Sequence, residues 1–137
     1  MPLDQGLAGR TFAPTSPYIV SKAKIAEFSA AIGDDARDAG DVTPLTFPIV
    51  IAFGAMTALL TDPAVGIELH NVVHGDQRFE QSRPIRAGDE LTATLTVDTM
   101  RAAAGVDMIG TRTDINTVAG DHVATAFATL VHRGGAG

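Results

Sequence analysis

Val42–Thr61 reads VTPLTFPIVIAFGAMTALLT and holds no charged residue, while Asp41 and Asp62 bracket it. Leu45, Phe47, Ile49, Val50, Ile51, Phe53, Met56, Leu59 and Leu60 leave almost no polar face. A helix that is apolar all round has to be surrounded, by protein or by lipid. The apolar run within it is shorter than the roughly 20 residues of a membrane span. It also contains Pro44, Pro48 and Gly54. The stretch therefore predicts a core helix from about Thr46 to Thr61. Thr46 is the expected N-cap, and Pro48 fits the first turn, where its missing N–H costs little. The rest of the chain is then expected to be the sheet that wraps this helix.

The flanking sequence supports that division. Residues 1–17 carry Pro2, Gly6, Gly9, Pro14 and Pro17 and read as irregular, with a short extended piece at Arg10–Phe12. Tyr18–Val20 reads as a short strand. Ser21 can cap a helix over Lys22–Ile32, with Ile25, Phe28 and Ile32 as its apolar stripe and Gly33 as its stop. Asp34–Asp41 (DDARDAGD) forms an acidic loop.

After Thr61 the period changes. Ile67–Gln81 and Glu90–Arg101 read as strands. In ELTATLTVDTM, Leu91, Ala93, Leu95 and Val97 point one way and the threonines the other. Turns at Ala104-Gly105 and Ala119-Gly120-Asp121 lead into strands Val106–Thr117 and His122–Arg133. Helices first and antiparallel strands later give an α+β fold, one sheet packed on a helix. We expect a single domain over residues 1–133 and a flexible tail over 134–137.

Composition narrows the function. Zero Cys excludes a disulfide scaffold and a thiolate metal site or nucleophile. A net charge of −6 argues against nucleic acid or an anionic membrane as partner. The start, MPLDQGLAGR, lacks a basic then apolar leader, so a cytoplasmic location is expected. His70 and His74, four apart on the expected strand, are the nearest thing to a metal pair, but no third ligand is well placed. No metal or cofactor is expected.

Three stretches resemble one family. Tyr18–Asp35 (YIVSKAKIAEFSAAIGDD) looks like its opening strand and helix. Thr43–Phe47 (TPLTF) resembles the approach to its central helix. Phe79–Leu95 (FEQSRPIRAGDELTATL) resembles its F-x-x-x-R-P-[IV]-x-A-G-D-x-L motif. The family is the hotdog-fold MaoC-like, or FAS1-like, (R)-hydroxyacyl-thioester dehydratases and enoyl-thioester hydratases. The pattern is nearest to the non-catalytic subunits of heterodimeric (3R)-hydroxyacyl-ACP dehydratases.

The resemblance implies a hotdog fold, a place in fatty-acid metabolism, and an acyl-thioester substrate on CoA or acyl-carrier protein. Catalytic members carry Asp-x4-His between the two helices, where His takes and returns a proton. Here Asp34 or Asp35 matches the Asp, but Ala39 and Gly40 stand where His belongs, and no His precedes His70. No catalytic residue is therefore assigned. The chain is expected to supply an acyl pocket and a dimer interface, as a homodimer or beside a His-bearing hotdog chain.

The substrate-binding candidates are Pro44, Leu45, Thr46 and Phe47, where a helix N-terminus can polarise a thioester carbonyl, with Phe53 and Met56 along the acyl channel, beside Ile51. Arg78, Arg83 and Arg86 are candidates for the carrier's phosphates. Two alternatives stay open. One is a non-catalytic acyl-thioester-binding homodimer. The other is an acyl-CoA thioesterase, against which stands the absence of Asp or Glu between Val42 and Thr61.

Overall fold

The computed structural model describes Leu3, residues 5–34 and residues 42–133. Of the expected acidic loop, Asp35–Asp41 lies outside the described residues, as does the tail Gly134–Gly137.

Five strands form one antiparallel sheet: β1 (Tyr18–Ile19), β2 (Val72–Gln81), β3 (Glu90–Ala103), β4 (Val106–Thr117) and β5 (His122–Arg133). Their order across the sheet is β1-β3-β4-β5-β2. Helix α1 (Lys22–Ala31) precedes the long helix α2 (Pro48–Thr61). The α+β class and the antiparallel sheet against one long helix are as the sequence predicts.

Alternation decides which face of the sheet is covered. Leu91, Ala93, Leu95 and Val97 of β3 are all fully buried. Their partners on β4 run through Ile115, Thr113 and Thr111, and those on β5 through Ala124, Ala126 and Ala128. Against this face α2 lays Pro48, Ile51, Ala52, Ala55, Met56 and Leu59. These recur with the period of one helix face.

The opposite side of α2 is left uncovered by its own chain. Phe53 is 54% exposed, and Leu45, just before the helix, is 70% exposed. The expectation of a fully surrounded helix therefore holds on one side only.

The two edges of the sheet differ. Residues 9–15 run antiparallel along β3: Gly9 donates to the Val97 carbonyl, Phe12 to Leu95 and Thr15 to Ala93. This strap continues into β1, which pairs with Glu90 and Leu91. It contains the expected extended piece; its Phe12, and Leu7 just before it, enter the core. At the other edge β2 pairs with β5 alone among the described residues.

Several boundaries move. Ser21 caps α1 as expected, its Oγ accepting from the Lys24 amide at 3.0 Å. Ile32 is the C-cap and largely exposed, so the stripe of α1 ends at Phe28 and Ser29 is buried instead. Thr46 does not cap α2. The N-cap position is Phe47, in helical conformation and with no side-chain cap. Residues 44–47 already wind as a tight turn, so backbone carbonyls take the first amides: Phe47 N–H to Pro44, Ile49 to Thr46 and Val50 to Phe47. The strand expected from Ile67 begins only at Val72, after a 3-10 turn at Leu69–Asn71.

The β3–β4 hairpin closes through Ala104 (φ 54°) and Gly105 (φ 79°). Two positive φ values suit a two-residue loop, and Asn-Gly is its favoured pair. Ala104→Asn is expected to raise stability by up to ~1 kcal/mol in urea unfolding. In the same assay, at concentrations where the chain is monomeric, Phe47→Ala should cost about 3–5 kcal/mol. Phe53→Ala should cost well under ~1 kcal/mol there, because its side chain lies half in water.

Candidate functional site

The β2 sequence VVHGDQRFEQ does not alternate cleanly, and the reason is local. The register shifts between His74 and Asp76, so Gly75 sits in a bulge. Before it, Val72 and His74 lie opposite His132 and Leu130; after it, Gln77, Phe79 and Gln81 lie opposite Ala128, Ala126 and Ala124. Directly paired residues point to the same face. His74, Gln77, Phe79 and Gln81 therefore share the face that α2 covers, at the edge α2 does not reach.

There they bound an open slot of about 650 Å³ against the beginning of α2. One wall is apolar: Phe28, Leu45 and Ile49. The β2 wall carries His74, Gln77, Phe79 and Gln81, with Thr46 and Arg78 also lining the slot. Two contacts fix the β2 wall. Gln81 Nε2 donates to the Leu45 carbonyl at 3.2 Å, tying β2 to the turn before α2. His74 Nε2 lies 2.9 Å from Gln77 Oε1. Small Ala124, Ala126 and Ala128 on β5 let the helix approach the sheet.

The slot brings together only part of the sequence-derived set. Leu45 and Thr46 line it. Pro44 is buried behind, its carbonyl holding the Phe47 amide. Phe47 is fully buried and meets Phe28 edge to face at 5.4 Å, so it supports the apolar wall without facing the slot. Met56 and Ile51 turn to the sheet. Phe53 lies one turn beyond Ile49 on the same helix face, extending the apolar wall onto open surface. Phe28, Ile49, Gln77, Phe79 and Gln81 are not marked by the sequence as site residues, and His74 is marked by it only as a possible metal ligand.

The histidines disperse. His70 lies in the Leu69–Asn71 turn, 3.5 Å from Glu68, so it does not share a strand with His74. His122 bridges Ser82 and Thr125. His132 is buried, its Nε2 accepting from the Glu68 amide at 3.1 Å and its Nδ1 3.7 Å from Asp107. Among the described residues no three potential ligands gather for a metal. No described helix is long and apolar enough to cross a membrane.

The family model described as the FAS1-like dehydratase domain region matches residues 7–126. The chain belongs to that family. A UPF0336 protein of Streptomyces coelicolor is 42% identical over 145 aligned positions, which cover 97% of each chain. Among solved structures, a MaoC-like dehydratase superposes with a TM-score of 0.77 at 27% identity, over 96% of this chain. This chain spans only 43% of that longer one. A chain of the HadBC (3R)-hydroxyacyl-ACP dehydratase complex from Mycobacterium tuberculosis superposes with a TM-score of 0.72 at 27% identity, over 91% of this chain and 96% of that one. The hotdog fold expected from the resemblance is thereby shown.

In this member of the FAS1-like dehydratase domain family the R-P-I-R-A-G-D segment is a structural clasp. Arg83 donates to both Asp89 oxygens, at 2.9 and 3.2 Å, and the Arg86 amide donates to the same carboxylate at 2.8 Å. Gly88, at φ 93°, turns the chain so that its amide reaches the Val20 carbonyl at 2.7 Å. Of the three arginines suggested for a carrier's phosphates, Arg83 is held by Asp89, Arg78 stacks on Phe127 at 4.1 Å and also lines the slot, and the Arg86 backbone amide donates to Asp89.

Burial raises the Asp89 pKa, but the Arg83 hydrogen bonds and the Arg86 amide outweigh it and hold the carboxyl below its ordinary value. A depressed folded-state pKa contributes stability that is complete above the unfolded pKa and is lost as pH falls through the folded one. Asp89→Asn should therefore cost on the order of 1 kcal/mol at neutral pH, Arg83 being partly exposed. The gap to wild type should close on acidification, read from urea midpoints against pH.

Proposed function

We propose that the chain is one hotdog of a (3R)-hydroxyacyl-thioester dehydratase or enoyl-thioester hydratase. In this reading it contributes an acyl-chain slot and an interface, while a second hotdog chain contributes the Asp and His that hold the reacting water. The observation that carries the reading is the slot. It stands at the start of a helix, is apolar on one wall, and has no carboxylate among its described lining residues. Dehydration or hydration needs a group that can both give and take the proton of water, placed within hydrogen-bond reach. Among the described lining residues His74 is the one histidine, and none of them is a carboxylate that could hold a water with it.

Two surfaces support a partner. The ten-residue β2 has no strand on its outer edge among the described residues, which leaves a template for pairing with another sheet. The uncovered row Leu45, Ile49 and Phe53 runs from the slot along α2. A second hotdog paired along β2 would close the slot and cover that row. HadBC is a complex, and the MaoC-like dehydratase chain is more than twice this chain's span. Both fit a site built from two such units.

The test is hydration of trans-2-enoyl-CoA, followed by loss of enoyl absorbance. The chain alone is expected to match the no-protein control. Copurified with a His-bearing hotdog chain it is expected to turn over, and Phe53→Asp should separate the two and abolish turnover. Turnover by the chain alone, or a partner that neither binds nor changes the rate, would contradict the proposal. Release of free CoA by the chain alone would point to the thioesterase alternative instead.

A further inference from the structure

His122 is held from both sides by hydroxyl groups, and the direction of those hydrogen bonds follows from their partners. Its Nδ1 meets Ser82 Oγ, and its Nε2 lies 2.7 Å from Thr125 Oγ1. Thr125 Oγ1 in turn lies 3.3 Å from Asp114 Oδ1. An ionised carboxylate only accepts, and a threonine hydroxyl has one proton to give. If Thr125 gave that proton to His122, its oxygen would face Asp114 lone pair against lone pair. With a neutral imidazole, all these contacts are made in one direction only. Thr125 donates to Asp114, His122 Nε2–H donates to Thr125, and Nδ1 accepts the Ser82 hydroxyl proton.

The surroundings hold this relay in place. Arg112 Nη1 donates to Asp114 Oδ2 at 3.2 Å, and Arg112 Nε lies 3.3 Å from Asp98, so the carboxylate at the end of the relay is anchored. Thr125 is buried, which shields its hydroxyl from competing water, while Ser82 and His122 are exposed to incoming reagents. Asp114 and Thr125 are direct partners across β4 and β5 and alternate with the buried Ile115 and Ala124. The relay therefore stands on the outer face of the sheet, away from the slot. A serine hydroxyl is a weak nucleophile until an oriented base takes its proton. Here the base touches the hydroxyl, and Thr125 and Asp114 fix its ring.

We propose that Ser82 is a nucleophile that accepts an acyl group from carboxylic esters with a good leaving group, with His122 as its base and Thr125 and Asp114 as positioning residues. Ser82 Oγ bonds to the acyl carbon, and the bond from that carbon to the leaving oxygen breaks. The Ser82 proton passes to His122 Nδ1 and then to the departing oxygen. Until it moves on, the imidazolium keeps both N–H groups bonded, and its charge faces the Asp114 carboxylate through the Thr125 hydroxyl. The product is an ester on Ser82, which water removes in a second, slower step. This activity is separate from the acyl-slot reading and does not depend on it.

The test is incubation of the full-length protein, in the assembly in which it purifies, with p-nitrophenyl acetate. Released p-nitrophenolate gives the rate, and peptide mass spectrometry gives the position of the acetyl group. A burst of one equivalent of phenolate is expected, with the acetyl group on Ser82. Ser82→Ala should lose the burst. His122→Phe should slow it about a hundredfold, the contribution of a positioned general base. Thr125→Val keeps the shape of the side chain and should slow it about tenfold, the factor for one lost hydrogen bond. Thr125→Ser, which keeps the hydroxyl, should restore the rate.

Acetyl groups on lysines or on His122 with none on Ser82 overturn the inference. So does acetylation of Ser82 no faster in the folded protein than in urea, where His122 no longer lies beside it, and that comparison needs no variant to fold. A burst that survives Ser82→Ala, or a rate unchanged in His122→Phe, also overturns it.

Discussion

Helix α2 is apolar around its whole circumference, and a single curled sheet can cover only one side of it. The covered side is set by β3, β4 and β5, whose inward residues are large on β3 (Leu91, Leu95) and small on β5 (Ala124, Ala126, Ala128). That gradient tilts the balance of packing. The helix seats deeply over the sheet centre, and space opens toward β2. The slot is what remains between the beginning of α2 and the last strand. The same constraint leaves Phe53 and Leu45 in water. Apolar area of that kind is removed from water at about 25 cal/mol per Å² when a partner covers it.

The fold was legible because it rests on patterns that need no tertiary knowledge. The uncharged run after Asp41 marks a core helix. The alternation in Glu90–Met100 marks a strand with one buried face. Gly33, Gly105 and Gly120 mark the ends. The site was less legible, for identifiable reasons. Gly75 opens a bulge that moves the inward set of β2 from Val72 and His74 to Gln77, Phe79 and Gln81. A strict two-residue period cannot follow that switch. Position along an apolar helix also does not reveal which face meets the sheet. Hence Met56 and Phe53, three residues apart, were both assigned to a channel, yet one is buried against the sheet and the other is exposed. Residues 44–47 wind as a turn whose own carbonyls cap the helix, and this removed Thr46 from the capping role its chemistry suggested.

The R-P-I-R-A-G-D segment shows how a family motif can carry architecture. Arg83 and Asp89 close on each other across the turn, and Gly88 supplies the backbone angle that lets Val20 bond on both sides of it. Ile85 drives the middle of the segment into the core, and the Thr43 amide hydrogen-bonds to its carbonyl. The clasp thereby fixes β1, the start of β3 and the approach to α2 at one point. It positions the slot from outside it.

The central claim is that the slot is completed by a second hotdog lying along β2. Hydrogen–deuterium exchange, compared between the dilute chain and its copurified assembly, tests that claim most directly. The account predicts that amides of Val72–Gln81 and of the Phe53 face of α2 gain protection together on assembly, while β3, whose edge residues 9–15 and β1 already cover, does not change. Assembly that protects a different surface and leaves β2 exchanging as in the dilute chain would contradict it.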